Sequence, residues 1–301
     1  MSRKIVFLIN PISGGRNKAK LKTLIEKRLS NAPIPYCIMP TDVHGEYAEV
    51  SEIIKNEHYN CVVICGGDGS VNQAVKALRN HPVQFGIIPM GSGNGLAFAA
   101  GIPSSPIKAI EVILNGNAFD TDAFWLNEHF GCMLSGVGFD AIIAHDFSKQ
   151  KKRGLSAYLK RCLYHFFKSG TFSFSFEINN HTFTENCYFI SVANSNQFGN
   201  HVTIAPKASL NDGMLDVVVV KKMNKIRLLA EIAWQIKMGK VTVPNTRKNN
   251  SAILYFQSNY ITINNPQKAP VHIDGEPAGN IEKLSIQIIP SAFKLIQPTS
   301  F

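Results

Sequence analysis

Three connections in the first hundred residues combine glycine with small polar side chains, and each follows a short apolar run with strand character. Residues 4–9 lead into Asn10-Pro-Ile-Ser-Gly-Gly15, residues 61–65 into Gly66-Gly-Asp-Gly-Ser70, and residues 85–89 into Gly91-Ser-Gly-Asn-Gly95. Apolar residues at helical spacing follow: Leu21, Leu24, Ile25 and Leu29 after the first, then Val71, Ala74, Val75 and Leu78 after the second. A further helix is expected over residues 107–114. Apolar strands alternating with helices specify a parallel sheet covered on both faces. All three loops should then share the C-terminal edge of that sheet, where open α/β sheets bind ligands.

From about residue 121 the pattern changes. Phe172, Phe174, Phe176 and Ile178 alternate with polar residues, Asn179-Asn180 reads as a tight turn, and residues 188–192 follow as a second strand. Residues 215–220, 252–256, 260–263, 271–273 and 284–289 add more strands, with helices expected at roughly 155–168 and 225–239. The chain therefore reads as an α/β domain over residues 1–121 and a β-rich antiparallel domain over 122–301. A ligand cleft is expected between them, and the last segment is free to pack back on the first domain.

Lys plus Arg total 31 against 21 Asp plus Glu, a formal net charge of +10 that favours anionic partners or simply a solvated basic surface. The basic residues are dispersed and no recognition motif accompanies them, so nucleic acid is not expected. The six cysteines form no CxxC pair and mostly lie in apolar runs, which suits core residues in a reducing compartment. No run reaches the roughly 18 apolar residues of a membrane span. A soluble, cytoplasmic protein is expected, with any membrane contact peripheral, at the inner surface. A homo-oligomer stays open.

Glycine lets a backbone take positive φ and come close to a ligand, and a helix N-terminus just beyond offers free N–H groups to a phosphate. One such loop is weak evidence, because a strand-to-helix turn often uses glycine only to turn. Three on one edge favour a nucleoside triphosphate. No GxxxxGK[ST] occurs, and no dinucleotide GxGxxG follows the first strand.

In order along the chain, Asn10-Pro-Ile-Ser-Gly14, Gly66-Gly-Asp-Gly-Ser70, Pro89-Met-Gly-Ser-Gly-Asn94 and Asp274-Gly-Glu276 resemble the motifs of the diacylglycerol kinase catalytic family. That family includes bacterial lipid kinases, sphingosine kinases and ceramide kinase. Gly136-Val-Gly-Phe-Asp140, Ile204-Ala-Pro206 and Asp212-Gly-Met-Leu-Asp216 are also similar to it.

The resemblance implies an ATP-dependent kinase that uses Mg²⁺ and phosphorylates a hydroxyl of a membrane lipid, of diacylglycerol or sphingoid-base type. It places ATP on Asn10, Pro11, Ser13, Gly14, Thr41, Gly66, Gly67, Asp68, Gly69, Ser70, Asn72, Gln73, Gly91, Ser92 and Asn94, in the interdomain cleft. Asp68 and Asp122 would adjoin Mg²⁺ on the phosphates, with Asp120 close enough to compete for the second role. Ser209, Asp212 and Met214 match a second Mg²⁺ site, and Glu276 matches the general base. Asp274 is implied as a catalytic residue beside it, because two carboxylates so close can push one pKa upward, which suits a base near neutral pH. Without the resemblance, residues 272–276 read as a plain hairpin turn with solvated acids.

The sequence departs from the family at Gln73, commonly Glu, and at Gly95, often Asp. Two alternatives follow: a soluble-substrate kinase similar to the NAD kinases, or a degenerate relative that binds nucleotide or lipid without transfer. Leu155, Tyr158, Leu159, Cys162, Leu163 and Phe166 share one helical face beside Lys149, Lys151, Lys152 and Arg153. That stretch suits a membrane-facing helix or, more commonly, a core helix with a solvated charged face.

Overall fold

The computed structural model describes residues 3–11, 18–30, 34–148, 164–197, 205–225 and 253–299. Among these, two compact units are formed, one from residues 3–123 and 290–299, the other from 124–197 and 205–289. The chain passes between units inside two strands, at Ala123/Phe124 and at Ile289/Pro290.

The first unit alternates strand and helix: β1 (Ile5–Ile9), α1 (Lys18–Leu29), β2 (Tyr36–Pro40), α2 (Ala48–Glu57), β3 (Cys61–Gly66), α3 (Asp68–Leu78) and β4 (Gln84–Pro89). Then come α4 (Gly95–Ala99), α5 (Pro106–Asn115) and the long β5 (Asn117–Leu126). The sheet order β2-β1-β3-β4 is parallel throughout, with Ile5 opposite Tyr36 and Cys61, and Cys61 opposite Gln84. Every residue of β3 is buried, as a central strand covered on both faces requires. The stripe expected on α3 is present: Val71, Ala74, Val75 and Leu78 are all buried. Arg28 and Glu111 join α1 to α5 by an ion pair at 2.8 Å.

The second unit continues with β6 (His129–Gly131), β7 (Leu134–Gly138), α6 (Phe139–Ser148), β8 (Phe172–Ile178), β9 (His181–Ala193), β10 (Leu215–Lys221) and β11 (Ile253–Ser258). It closes with β12 (Tyr260–Asn264), β13 (Val271–Ile273), β14 (Glu276–Gly279) and β15 (Lys283–Gln297). The order β14-β13-β7-β9-β8-β12-β15 is antiparallel, and β10 joins β9 to β11. Asn179 and Asn180 both take positive φ between β8 and β9, which a tight two-residue hairpin needs. Phe124, Phe174 and Phe176 are buried to 1% exposure or less in this core, and each such ring stabilises by about 1.5–3 kcal/mol.

Three features depart from the sequence expectation or lie beyond it. The alternating phenylalanines and the 271–273 strand fall where expected, but α6 lies beyond the sequence expectation: the Gly136 to Asp140 segment ends β7 and opens α6 at Phe139. The last strand is far longer than residues 284–289, and its end, Lys294 and Leu295, pairs in parallel with Gln84 and Phe85 of β4. The helix expected at 155–168 lies outside the described residues up to 163, and the one at 225–239 lies outside them beyond 225. Among the described residues no helix is long and apolar enough to cross a membrane.

Candidate active site

In a parallel sheet each strand delivers its following loop to the same edge, so Asn10, Gly66 to Ser70 and Met90 to Asn94 meet where β1, β3 and β4 end. Hydrogen bonds tie the three together. Asn10 Nδ2 donates to Ser70 Oγ at 2.6 Å, and the Met90 N–H donates to Gly66 O at 2.8 Å. Thr41, buried after β2, donates its N–H to Ile9 O at 3.1 Å. Beside it the Asp42 carboxylate accepts the N–H groups of His44 and Glu46, and the Glu46 amide above all lowers its pKa.

Gly66, Gly67 and Gly91 of the second and third loops act through close approach rather than positive φ. A Cβ on Gly91 would lie 2.6 Å from Gly67 Cα, and one on Gly66 would lie 2.7 Å from Ser70 Cβ. The left-handed residue is instead Asn94, at φ 53°, whose side chain closes its own loop. Its Oδ1 accepts the Gly91 N–H at 2.8 Å while its Nδ2 donates to Gly91 O at 2.9 Å. Ser13 and Gly14 lie outside the described residues.

Asp68 opens α3, where the helix dipole favours a carboxylate. Its Oδ1 accepts the Leu96 N–H at 3.4 Å, and a Cβ on Gly93 would stand 2.9 Å from its Oδ2. Asp68 thus belongs to the second and third loops at once. Gly69, Asn72 and Ser92 are partly exposed around it, and Gln73 is exposed.

The structure does not bring Asp122 to this edge. Asp122 is 2% exposed, and its Oδ1 accepts the N–H of Ser291 at 2.8 Å. Ser291 and Asp120 line a cavity of about 940 Å³ together with Arg3, Asn60 and Gln84, residues at the starts of the parallel strands. Asp120 pairs there with Lys294 at 2.7 Å. The six residues of β4 put its two ends about 17 Å apart, so neither carboxylate adjoins Asp68. Spacing along an unassigned strand could not show this.

In the second unit, the Asp274-Gly-Glu276 turn joins β13 to β14, with Ile273 opposite Glu276. Asp274 and Gly275 both have positive φ, 51° and 84°, as a two-residue Asp-Gly hairpin turn demands. Glu276 is exposed. Asp274 is 8% exposed, and its carboxylate accepts the N–H groups of Cys132, Met133 and Leu134 at 2.8, 2.9 and 3.1 Å. Asp274, expected beside Glu276 as a second catalytic carboxylate, is instead turned inward as an anchor for the β6–β7 connection, and Glu276 is the exposed acid of the turn.

Ser209, Asp212 and Met214 fall in one short turn. Ser209 Oγ donates to Asn211 Oδ1 at 2.9 Å, and Asp212 Oδ1 accepts the Met214 N–H at 3.1 Å. Just beyond, fully buried Asp216 accepts the hydroxyl of Tyr255, and burial pushes the Asp216 pKa up.

Among the described residues no three His, Cys, Asp or Glu side chains converge on a metal position. Mg²⁺ needs no such cage, since it keeps several waters and takes one or two carboxylates plus phosphate oxygens. Asp68, partly exposed among the three loops, fits that pattern, and the oxygen donors of the 209–214 turn suit the same kind of hard cation.

Glycine loops knitted around one carboxylate on a parallel sheet, together with a β-rich unit carrying an acidic hairpin, define a two-domain phosphotransferase. Residues 4–125 match the diacylglycerol kinase catalytic domain, and residues 134–297 match the YegS C-terminal NAD kinase beta sandwich-like domain. The chain belongs to the diacylglycerol kinase catalytic-domain family. It is 26% identical over 278 residues to a diacylglycerol kinase of Bacillus subtilis (strain 168), covering 90% of this chain and 89% of that one. It is 22% identical over 285 residues to a diacylglycerol kinase of Staphylococcus carnosus (strain TM300), covering 93% and 91%. A solved diacylglycerol kinase structure from Bacillus anthracis str. Sterne has the same fold, with a TM-score of 0.75 at 19% identity over 99% of this chain and 98% of that one.

Proposed function

We propose that this chain transfers the γ-phosphoryl group of ATP to a hydroxyl of a membrane lipid of diacylglycerol or sphingoid-base type. The observation that carries the reading is the joining of three phosphate-type loops around Asp68 at one sheet edge, in a chain of this family.

The N–H groups of the loops cradle the triphosphate, with Gly66, Gly67 and Gly91 keeping that surface free of side chains. Asp68 would hold Mg²⁺, which would supply neutralisation of the phosphate charge. Glu276 accepts the proton of the lipid hydroxyl as its oxygen forms a bond to the γ-phosphorus and the bond to the β-phosphate oxygen breaks, releasing ADP. Asp274 holds the hairpin that carries Glu276. Asp212, with the Ser209 and Met214 carbonyls, would hold a separate cation of the same kind.

A lipid acceptor requires contact with a bilayer, and the net charge of +10 favours an anionic surface. The test is labelled ATP with a total lipid extract, followed by identification of the product. A labelled lipid is expected. Label appearing only in a water-soluble acceptor such as NAD would favour the alternative suggested by the C-terminal domain's likeness to NAD kinase.

A further inference from the structure

Two buried polar side chains lie behind the acidic hairpin and take no part in the reaction just described. His272 is fully buried in the middle of β13, and Asp140 is 6% exposed in the first turn of α6. His272 Nε2 stands 3.5 Å from Asp140 Oδ2. Burying an imidazole and a carboxylate is unfavourable unless each finds a partner, so a core does not hold such a pair for packing alone.

The space for the pair is made by a missing side chain. Gly136 faces His272 across the β7–β13 ladder. A Cβ on Gly136 would stand 1.8 Å from Asp140 Oδ2 and 2.8 Å from His272 Nε2. Glycine in a strand interior weakens the strand, and here it opens the site of the pair.

The imidazole is also tied to the turn itself. Its Nδ1 accepts the N–H of Gly275 at 3.3 Å, the residue between Asp274 and Glu276. A ring nitrogen that accepts carries no proton, so the neutral ring must carry its proton on Nε2, the atom facing Asp140. Asp140 is fixed in turn, because its Oδ1 accepts the Ala141 N–H at 2.8 Å. The contacts run from the start of α6 through Asp140 and His272 to the Gly275 amide, one residue from Glu276.

We propose that Asp140 and His272 are positioning residues for Glu276: the carboxylate selects the imidazole tautomer, and the tautomer holds the turn through the Gly275 N–H. The proposal rests on Glu276 being the base. Its own content is the pair's control of the turn.

Asp140→Asn supplies a discriminating change. If Asn keeps its oxygen on the Ala141 N–H, its amide NH₂ faces Nε2, and two donors oppose each other. The ring then moves its proton to Nδ1, where it opposes the Gly275 N–H. The same logic makes a carboxylate-to-amide change so damaging beside a catalytic histidine.

The experiment combines long-range proton–nitrogen NMR of the imidazoles with kinetics on a total lipid extract. For the wild type, His272 is expected to be protonated on Nε2. In Asp140→Asn the proton is expected on Nδ1, with kcat lowered about 10–100-fold while the KM for ATP stays within about twofold. Replacing both residues by Leu is expected to preserve the fold without restoring turnover. Protonation of wild-type His272 on Nδ1, full kcat in Asp140→Asn, or wild-type turnover in the double Leu variant would each overturn the proposal. If both variants fail to fold, the wild-type tautomer alone decides. Loss of turnover in Glu276→Gln beside full turnover in Asp140→Asn removes this proposal and leaves the base in place. Full turnover in Glu276→Gln removes the base itself.

Discussion

Gly67 and Gly91 meet backbone to backbone: a Cβ on Gly91 would fall 2.6 Å from Gly67 Cα, and one on Gly67 would fall 3.1 Å from Gly91 Cα. The second and third loops can lie side by side only because neither residue has a side chain. Gly91→Ala should therefore push the loops apart and weaken Mg-ATP binding, and Gly67→Val should do so more strongly. Overpacking of this kind costs about 1–3 kcal/mol. Calorimetry with Mg-ATP reads the effect, and unchanged affinity in both variants would mean that the junction does not hold nucleotide.

Asp68→Asn separates the charge of the carboxylate from its packing. The amide oxygen can still accept the Leu96 N–H, so the loop junction should survive and the melting temperature should move little. Affinity for ATP should fall in the presence of Mg²⁺ and change little in its absence, because only the charge that faces the ion is lost. Equal Mg-ATP affinity in wild type and variant would remove Asp68 from the metal site.

Asp274 and Glu276, two residues apart, should respond oppositely to truncation. Glu276→Gln leaves an exposed side chain of the same shape and should keep stability while losing about 10²–10⁴-fold in turnover. Asp274→Ala leaves the amides of Cys132, Met133 and Leu134 without their acceptor, and one unsatisfied buried group alone costs about 1–3 kcal/mol. Its melting temperature should drop by several degrees or more. A stable, inactive Asp274→Ala would return Asp274 to the chemistry.

This difference marks where the sequence could be read and where it could not. The parallel sheet, the α3 stripe of Val71, Ala74, Val75 and Leu78, and the glycine loops follow from periodicity and turn chemistry, which are local. The Asp-Gly dipeptide likewise announces a hairpin. Nothing local shows that Asp274 reaches residues about 140 positions earlier, that Asp122 lies by Ser291, or that Gly136 makes room for Asp140 and His272. Those contacts depend on which strands become neighbours. The family-like Gly136 to Asp140 segment was visible as a motif, but its meaning requires the β7–β13 pairing.

Asp216 gives a test in pH. It is fully buried, and burial, with the charge of Asp212 adding to it, raises its pKa above the ordinary carboxylate value, against the hydrogen bond from the Tyr255 hydroxyl. At pH below the unfolded pKa the group is protonated in both states and contributes nothing to the pH dependence. As pH rises toward the raised folded value, the unfolded chain releases its proton first, so the folded state binds more protons and loses stability relative to the unfolded state. Asn at this position still offers an acceptor to Tyr255 and has no proton to lose. The melting temperature of Asp216→Asn minus that of wild type should therefore increase from about pH 4 to about pH 7. A difference that shrinks over this range would show that the ionised carboxylate is held by its partners more strongly than burial opposes it.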